Sequence, residues 1–167
     1  MIEIIETASL STLLYVAALI AYSLTVKRIT AFSFVLVGLL MLEGLHMGGQ
    51  FLMASYYNEP AYTTIIYYSW YLFFAVTDFL YIGLTVLFCR KAGLAIDRVS
   101  YLLLSLYAFM GGLQVVRLIE RTWVDTQIME WFYTNSIPFI NIVIGIILLA
   151  FVSKVILTNV IHGFKTL

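Results

Sequence analysis

Apolar residues run in five long blocks, broken by short polar turns. A helix needs about 20 mainly apolar residues to cross a bilayer. The pattern predicts spans at about residues 8–26, 29–55, 65–89, 99–119 and 136–160. Lys27-Arg28 closes the first block and Arg90-Lys91 the third. Tyr56-Tyr57-Asn58-Glu59-Pro60 closes the second, since a proline and the residue before it both disfavour helix. Between the fourth and fifth blocks lies a polar, aromatic stretch, residues 120–133, expected at the membrane surface as a short interfacial helix. Pro138 is then expected in the first turn of the fifth span, where a missing N–H does no harm.

Composition agrees. The chain is 63% hydrophobic and 11% charged, against about 45–50% and about 25% for soluble domains. At 167 residues it is read as a single domain, too apolar for one small core to absorb, so lipid must solvate the rest. Residues 1–6 carry two acids and no base, unlike the basic start of a secretory signal, so the first block is expected to remain as a span. The fold class is therefore all-α, a polytopic integral membrane bundle of five transmembrane helices.

Charge sets the expected orientation. Lys27, Arg28, Arg90, Lys91, Arg98 and Lys165 fall on one side, and Lys154 can snorkel toward it. Lys and Arg concentrate in cytoplasmic loops, which puts the N-terminus outside and the C-terminus in. A bacterial inner membrane or its equivalent is the expected location. The outer side carries a belt of Tyr56, Tyr57, Tyr62, Tyr67, Tyr68, Trp70 and Tyr71, amphipathic rings suited to headgroup level.

A weak repeat runs through this pattern. Met47-Gly48-Gly49 and Met110-Gly111-Gly112 stand 63 residues apart, as do Lys27-Arg28 and Arg90-Lys91. Two tandem hairpins plus a lone fifth helix would give that spacing; so would chance, because glycine and methionine are common in membrane helices.

The clue to function lies in ionisable residues inside the blocks. A charge at the bilayer centre costs about 2.5–3.5 kcal/mol on insertion scales, so such residues pair, carry a proton or line a wet cavity. At about 100° per residue, Glu43, His46, Met47 and Gln50 share one face of the second helix. Tyr67, Tyr71, Asp78 and Thr85 line up on the third. Tyr107, Met110, Gln114, Arg117 and Arg121 do so on the fourth, and Asn141 and Gly145 on the fifth. Packed polar side inward, these faces would form a funnel opening outward, with Glu43 and Asp78 at its base and Arg117 near its mouth as a candidate counter-ion at a mismatched depth. The candidate site is Glu43, His46, Gln50, Asp78, Gln114 and Arg117.

Two readings of those residues compete. In the first, the chain is a small transport or channel protein, or a ligand-binding membrane module, handling protons, cations or a small polar solute. In the second, it is a non-catalytic structural, accessory or sensory subunit whose buried polar groups specify helix packing, with Glu43 bonded to His46 across one turn, Asp78 fixing register and Arg117 anchoring the interface. An intramembrane enzyme built on a Glu43–His46 acid–base pair is the weakest reading. No catalytic residue, metal site or cofactor is expected: phosphate-cradling, zinc-protease and serine-nucleophile motifs are absent, and the one cysteine, Cys89, has no histidine near it in sequence. Net charge is zero and no basic run occurs, which argues against nucleic acid. The expected partners are the lipid bilayer and, because five spans enclose little interior, further copies of the chain or a larger membrane complex.

Overall fold

The computed structural model describes the backbone of residues 2–57, 59–124, 126 and 128–164, without the side chains of residues 2–11, 160 and 162–164. Lys165, used for the orientation, lies outside the described residues. The five helices are α1 (Ile2–Val26), α2 (Ala31–Tyr56), α3 (Thr63–Lys91), α4 (Arg98–Ile119) and α5 (Ile128–Phe164). A single π-helical turn, Glu120–Val124, extends α4. Each helix packs on its neighbours in sequence, α5 returns to α1 to close a ring, and α2 touches α4 across it. The chain is thus an all-helical membrane bundle. Four of its helices are long and apolar enough to span, and the described side chains of α1 add a shorter apolar stretch, Thr12–Val26.

Local chemistry sets the boundaries. Lys27 ends α1 in the left-handed region (φ 50°), and Thr30 opens α2 by exchanging hydrogen bonds with Ser33. Gly93 (φ 65°) ends α3: its N–H donates to the Arg90 carbonyl, and the Leu94 N–H to that of Cys89. A left-handed residue just past a helix end satisfies the last carbonyls in this way. Asp97 then opens α4 by accepting from the N–H groups of Val99 and Ser100, at 3.0 and 2.9 Å.

The half of the ring nearer the α1–α2 and α3–α4 links is packed mainly with apolar side chains. Phe32, Val35, Leu36, Leu39, Leu103, Ile144 and Leu148 are buried there, and the rings of Tyr22, Phe32 and Phe151 pack together between α1, α2 and α5. The outer surface is apolar, with Leu24, Phe51, Leu72 and Ile146 among its exposed side chains, as a lipid-facing wall requires.

Residues 120–133 depart from the expected surface segment. α5 starts at Ile128, eight residues before the expected 136, and Pro138 stands inside it rather than in its first turn. Glu120 supplies the reason: its Oε1 accepts the Met129 N–H at 2.9 Å and the Thr126 hydroxyl at 2.8 Å, so a residue from α4's end caps the start of α5. At 1.5 Å per residue the 37 residues of α5 extend for about 55 Å, well beyond a hydrocarbon core of about 30 Å.

The two Met-Gly-Gly copies sit in different surroundings. A Cβ at Gly49 would strike the Phe73 ring and one at Gly48 would meet nothing; in the second copy Gly111 is packed against Asp78 and Phe79, and Gly112 is open. Met110 is buried, while Met47 is exposed.

Candidate functional site

Asp78 stands midway along α3, on the face that also buries Phe74, Ala75, Tyr81 and Thr85. That face packs on α4 at Gly111, where an added Cβ would come within 3.3 Å of the Asp78 Cβ; glycine is what lets the two backbones approach. The side chain is 1% exposed, Oδ1 has no hydrogen-bond partner, and its nearest cationic atom is His46 Nε2 at 3.6 Å. This is too long for a hydrogen bond.

His46 reaches α3 from α2. Nε2 lies 2.8 Å from the Thr77 hydroxyl, and the ring stands edge-on to Phe74 with centroids 4.7 Å apart. Thr77 Oγ1 is also 2.8 Å from the Phe73 carbonyl and 3.1 Å from that of Phe74. A hydroxyl has one proton. If Thr77 gives it to a carbonyl, His46 must donate from Nε2; if Thr77 gives it to the imidazole, Nε2 accepts. The His46–Thr77 contact therefore has two proton arrangements, 3.6 Å from the Asp78 carboxyl.

Glu43 lies one turn before His46 and faces another way. It is half-buried and acts electrostatically on Tyr15 of α1 and Tyr107 of α4, whose hydroxyls interact. Tyr81 completes the trio: its ring lies 5.2 Å from that of Tyr107, its hydroxyl donates to the Val35 carbonyl at 3.3 Å, and it feels both Tyr15 and Asp78. Tyr15 and Tyr107 thus stand near Glu43 and Tyr81 near Asp78, with the Tyr81 and Tyr107 rings in edge contact. Gln50 is half-buried and makes no hydrogen bond among the described residues, and Asn141 is half-buried on α5.

The other candidates form a second cluster nearer the outer end. Gln114 accepts from the Tyr133 hydroxyl at 2.8 Å. Arg117, 2% exposed, donates to Glu120 at 2.5 Å and to Glu130 at 2.9 Å. The counter-ion role considered for Arg117 is therefore filled by acids of its own end, not by Glu43 or Asp78. Glu120 is one helical turn away and Glu130 sits on the adjoining start of α5, whereas the mid-span acids lie deeper than the guanidinium. Within the tyrosine belt, Tyr56, Tyr57, Tyr62 and Tyr68 are exposed, while Tyr67 lies 5.8 Å beneath the Arg121 guanidinium and Tyr71 stands edge-on to Tyr133.

Two hollows lie at opposite ends of the bundle: one by Glu130, Trp131, Thr134 and Asn135, the other by Tyr22, Arg28 and Lys154. Neither reaches Glu43 or Asp78. Sequence reasoning missed Thr77, Tyr15 and Tyr81. Tyr81 carried a signal, being one turn from Asp78 on the same face; Thr77 and Tyr15 carried none. No group of three or more His, Cys, Asp or Glu side chains converges as a metal site among the described residues, and Cys89 is buried. No protein family, curated protein or solved structure matches this chain.

Proposed function

We propose that the bundle is a small multi-pass transport protein that passes protons or monovalent cations through its buried polar centre, with Asp78 and His46 as the exchanging pair. One observation carries the reading: a carboxyl oxygen at mid-span, wholly buried, with no hydrogen-bond donor and an imidazole nitrogen 3.6 Å away. Ionisable groups are expensive inside a membrane and mark ion and proton paths. Imidazole and carboxyl together make a proton relay. On this reading a small rotation brings His46 Nε2 onto Asp78 Oδ1; His46, protonated at both nitrogens, passes its Nε2 proton to the Asp78 carboxylate, and Thr77 then turns its hydroxyl to donate a hydrogen bond to Nε2 of the neutral imidazole. Tyr81, Tyr15 and Tyr107 continue the hydroxyl series to Glu43, and Gln50 and Gln114 lie on the outer side. We place the N-terminus outside, in a bacterial inner membrane or its equivalent, with further copies of the chain or a larger complex completing the path.

A second reading, a structural or accessory subunit, draws support from the outer cluster, where Gln114–Tyr133 and Arg117–Glu120–Glu130 look built to hold helices in register. Flux separates the two. Purified protein in liposomes is loaded with a pH-sensitive dye and challenged with proton and monovalent-cation gradients. The transport reading expects a flux that falls at least tenfold in Asp78→Asn and in Glu43→Gln while both variants stay folded. Equal flux in wild type and variants, or none in any of them, rejects it and leaves the structural reading.

A further inference from the structure

The inner end of the bundle holds a built hollow that the polar centre does not use. It is about 500 Å³, between the C-terminal parts of α1 and α5, and is lined by Tyr22, Val26, Arg28, Phe151, Lys154, Val155, Thr158 and Asn159. Sites for small ligands occupy about 300–1,000 Å³. Two features give it chemistry. Arg28 and Lys154 come from opposite walls, both exposed, and neither forms an ion pair among the described residues. The acid of this end, Asp97, is engaged in capping α4. The second feature is the apolar wall of Val26, Phe151 and Val155, all half-buried.

The architecture is fixed from below. The Asn159 amide donates to the Thr25 carbonyl at 3.2 Å, tying α5 to the end of α1. The Tyr22 hydroxyl pairs with Thr30 at 2.9 Å, and the Tyr22 ring stacks with Phe151. Arg28 follows the left-handed turn at Lys27, so it stands on the short link that leads into α2. Two cations held beside an apolar wall, at the cationic end of a membrane bundle, recognise an anion that carries a hydrocarbon tail. A guanidinium presents paired N–H groups to phosphate oxygens, and an ammonium adds a point charge. Basic pockets between transmembrane helices on the cytoplasmic side bind acidic lipid headgroups in this way.

We infer that this hollow is a binding site for the phosphate headgroup of an anionic phospholipid, with Arg28 and Lys154 on the phosphate and Val26, Phe151 and Val155 along the first acyl carbons. The site is independent of the proposed transport role and would serve a purely structural bundle equally well.

The test is native mass spectrometry of the full chain released from nanodiscs of phosphatidylcholine with a minor share of phosphatidylglycerol. Wild type should retain one phosphatidylglycerol in preference to phosphatidylcholine. R28Q/K154Q should weaken that retention about twenty-five-fold, at about fivefold for each basic side chain. R90Q/K91Q removes the same charge from the same end outside the hollow and should change retention less than twofold. The swap R28K/K154R keeps both charges and should keep the lipid, which separates lost recognition from lost folding. Equal loss in the two charge-removing variants, or no loss in either, overturns the site in favour of diffuse surface charge. Displacement of the lipid by millimolar glycerol 3-phosphate overturns the lipid assignment and identifies a free phosphate ester.

Discussion

Asp78→Asn should leave the bundle at least as stable as the natural chain. The substitution keeps the side chain's size and shape and does not touch the Cβ that packs at Gly111. It breaks no hydrogen bond among the described residues, since the 3.6 Å separation from His46 Nε2 exceeds bonding distance. What it removes is a buried carboxyl with an unmatched oxygen. An unsatisfied buried polar atom costs about 1–3 kcal/mol. A neutral amide is easier to bury than a carboxylate, and its N–H can turn toward the imidazole. The expected change runs from none to a gain of about 3 kcal/mol. For a chain of this length about 1 kcal/mol moves the melting temperature by roughly 2–4 °C, so the upper end is a rise of about 10 °C. Thermal unfolding in detergent, followed by the fluorescence of the three tryptophans, measures it. A loss of more than about 1 kcal/mol would mean that Asp78 makes stabilising contacts as a carboxylate, and the argument from its unmatched oxygen would fail. Stability kept while flux is lost is the signature of a residue retained for chemistry rather than packing.

The glycine pair on α2 should respond asymmetrically: Gly49→Ala drives a methyl into Phe73 and should destabilise by about 1–3 kcal/mol, whereas Gly48→Ala meets open space and should be neutral or better. Equal effects in the same unfolding assay would show that the α2–α3 packing differs from that described. Tyr133→Phe removes the donor to buried Gln114 Oε1 and should cost about 0.5–1.5 kcal/mol; Gln114→Leu in the same background should recover part of it, and a further loss would contradict the pairing. Glu120→Gln should speed hydrogen exchange at the start of α5, because Met129 and Thr126 lose their charged acceptor, while Glu130→Gln, at a half-exposed position, should barely change it. The opposite order would remove Glu120 as the cap.

Much of the architecture is legible in the sequence because lipid imposes a single rule: every backbone group must be satisfied internally over a fixed thickness. Basic pairs, Pro60 and the polar turns then mark four of the boundaries. The start of α5 is not legible, because its capping group comes from Glu120 on another element, and no local signal announces a cap borrowed from eight residues upstream. Helical periodicity placed Tyr107, Met110, Gln114, Arg117 and Arg121 on one face; the first four are buried and Arg121 is half-buried. On α2 the same counting grouped Glu43, His46, Met47 and Gln50. In the ring, these positions meet different surroundings: Glu43 influences α1 and α4, His46 meets α3, Met47 is exposed with its sulfur 3.8 Å from the Thr12 hydroxyl of α1, and Gln50 is half-buried. Periodicity gives direction about a helix axis. It does not give the identity of the opposing wall, which is why the choice of partner for Arg117 also escaped it.

The distribution of polarity along the bundle has a mechanical consequence. From the level of Asp78, Tyr15 and Tyr107 toward the α4–α5 link, the interior carries hydroxyls, amides and an ion-pair network; toward the other end it is filled mainly by Leu36, Leu39, Leu103, Ile144 and Leu148, with Thr85 and Ser100 buried among them, and is closed by the aromatic group of Tyr22, Phe32 and Phe151. Charge follows the same division. The outer end pairs Arg117 with Glu120 and Glu130, while Arg28, Arg90, Lys91 and Lys154 at the inner end have no acid partner among the described residues. A proton reaching Asp78 from the α4–α5 end would pass groups able to hold it; toward the other end Tyr81, Thr85 and Ser100 are buried, but no hydrogen bond among the described residues links them into a series. Conduction through this chain therefore requires the aromatic closure to part. The elements able to part there are α1 and α5, because they meet only where the chain closes its ring and no short loop joins them. The lipid site proposed above lies on that seam and shares Tyr22 and Phe151 with the closure. The inner leaflet would thus act on the barrier at the one place where the ring has no covalent link.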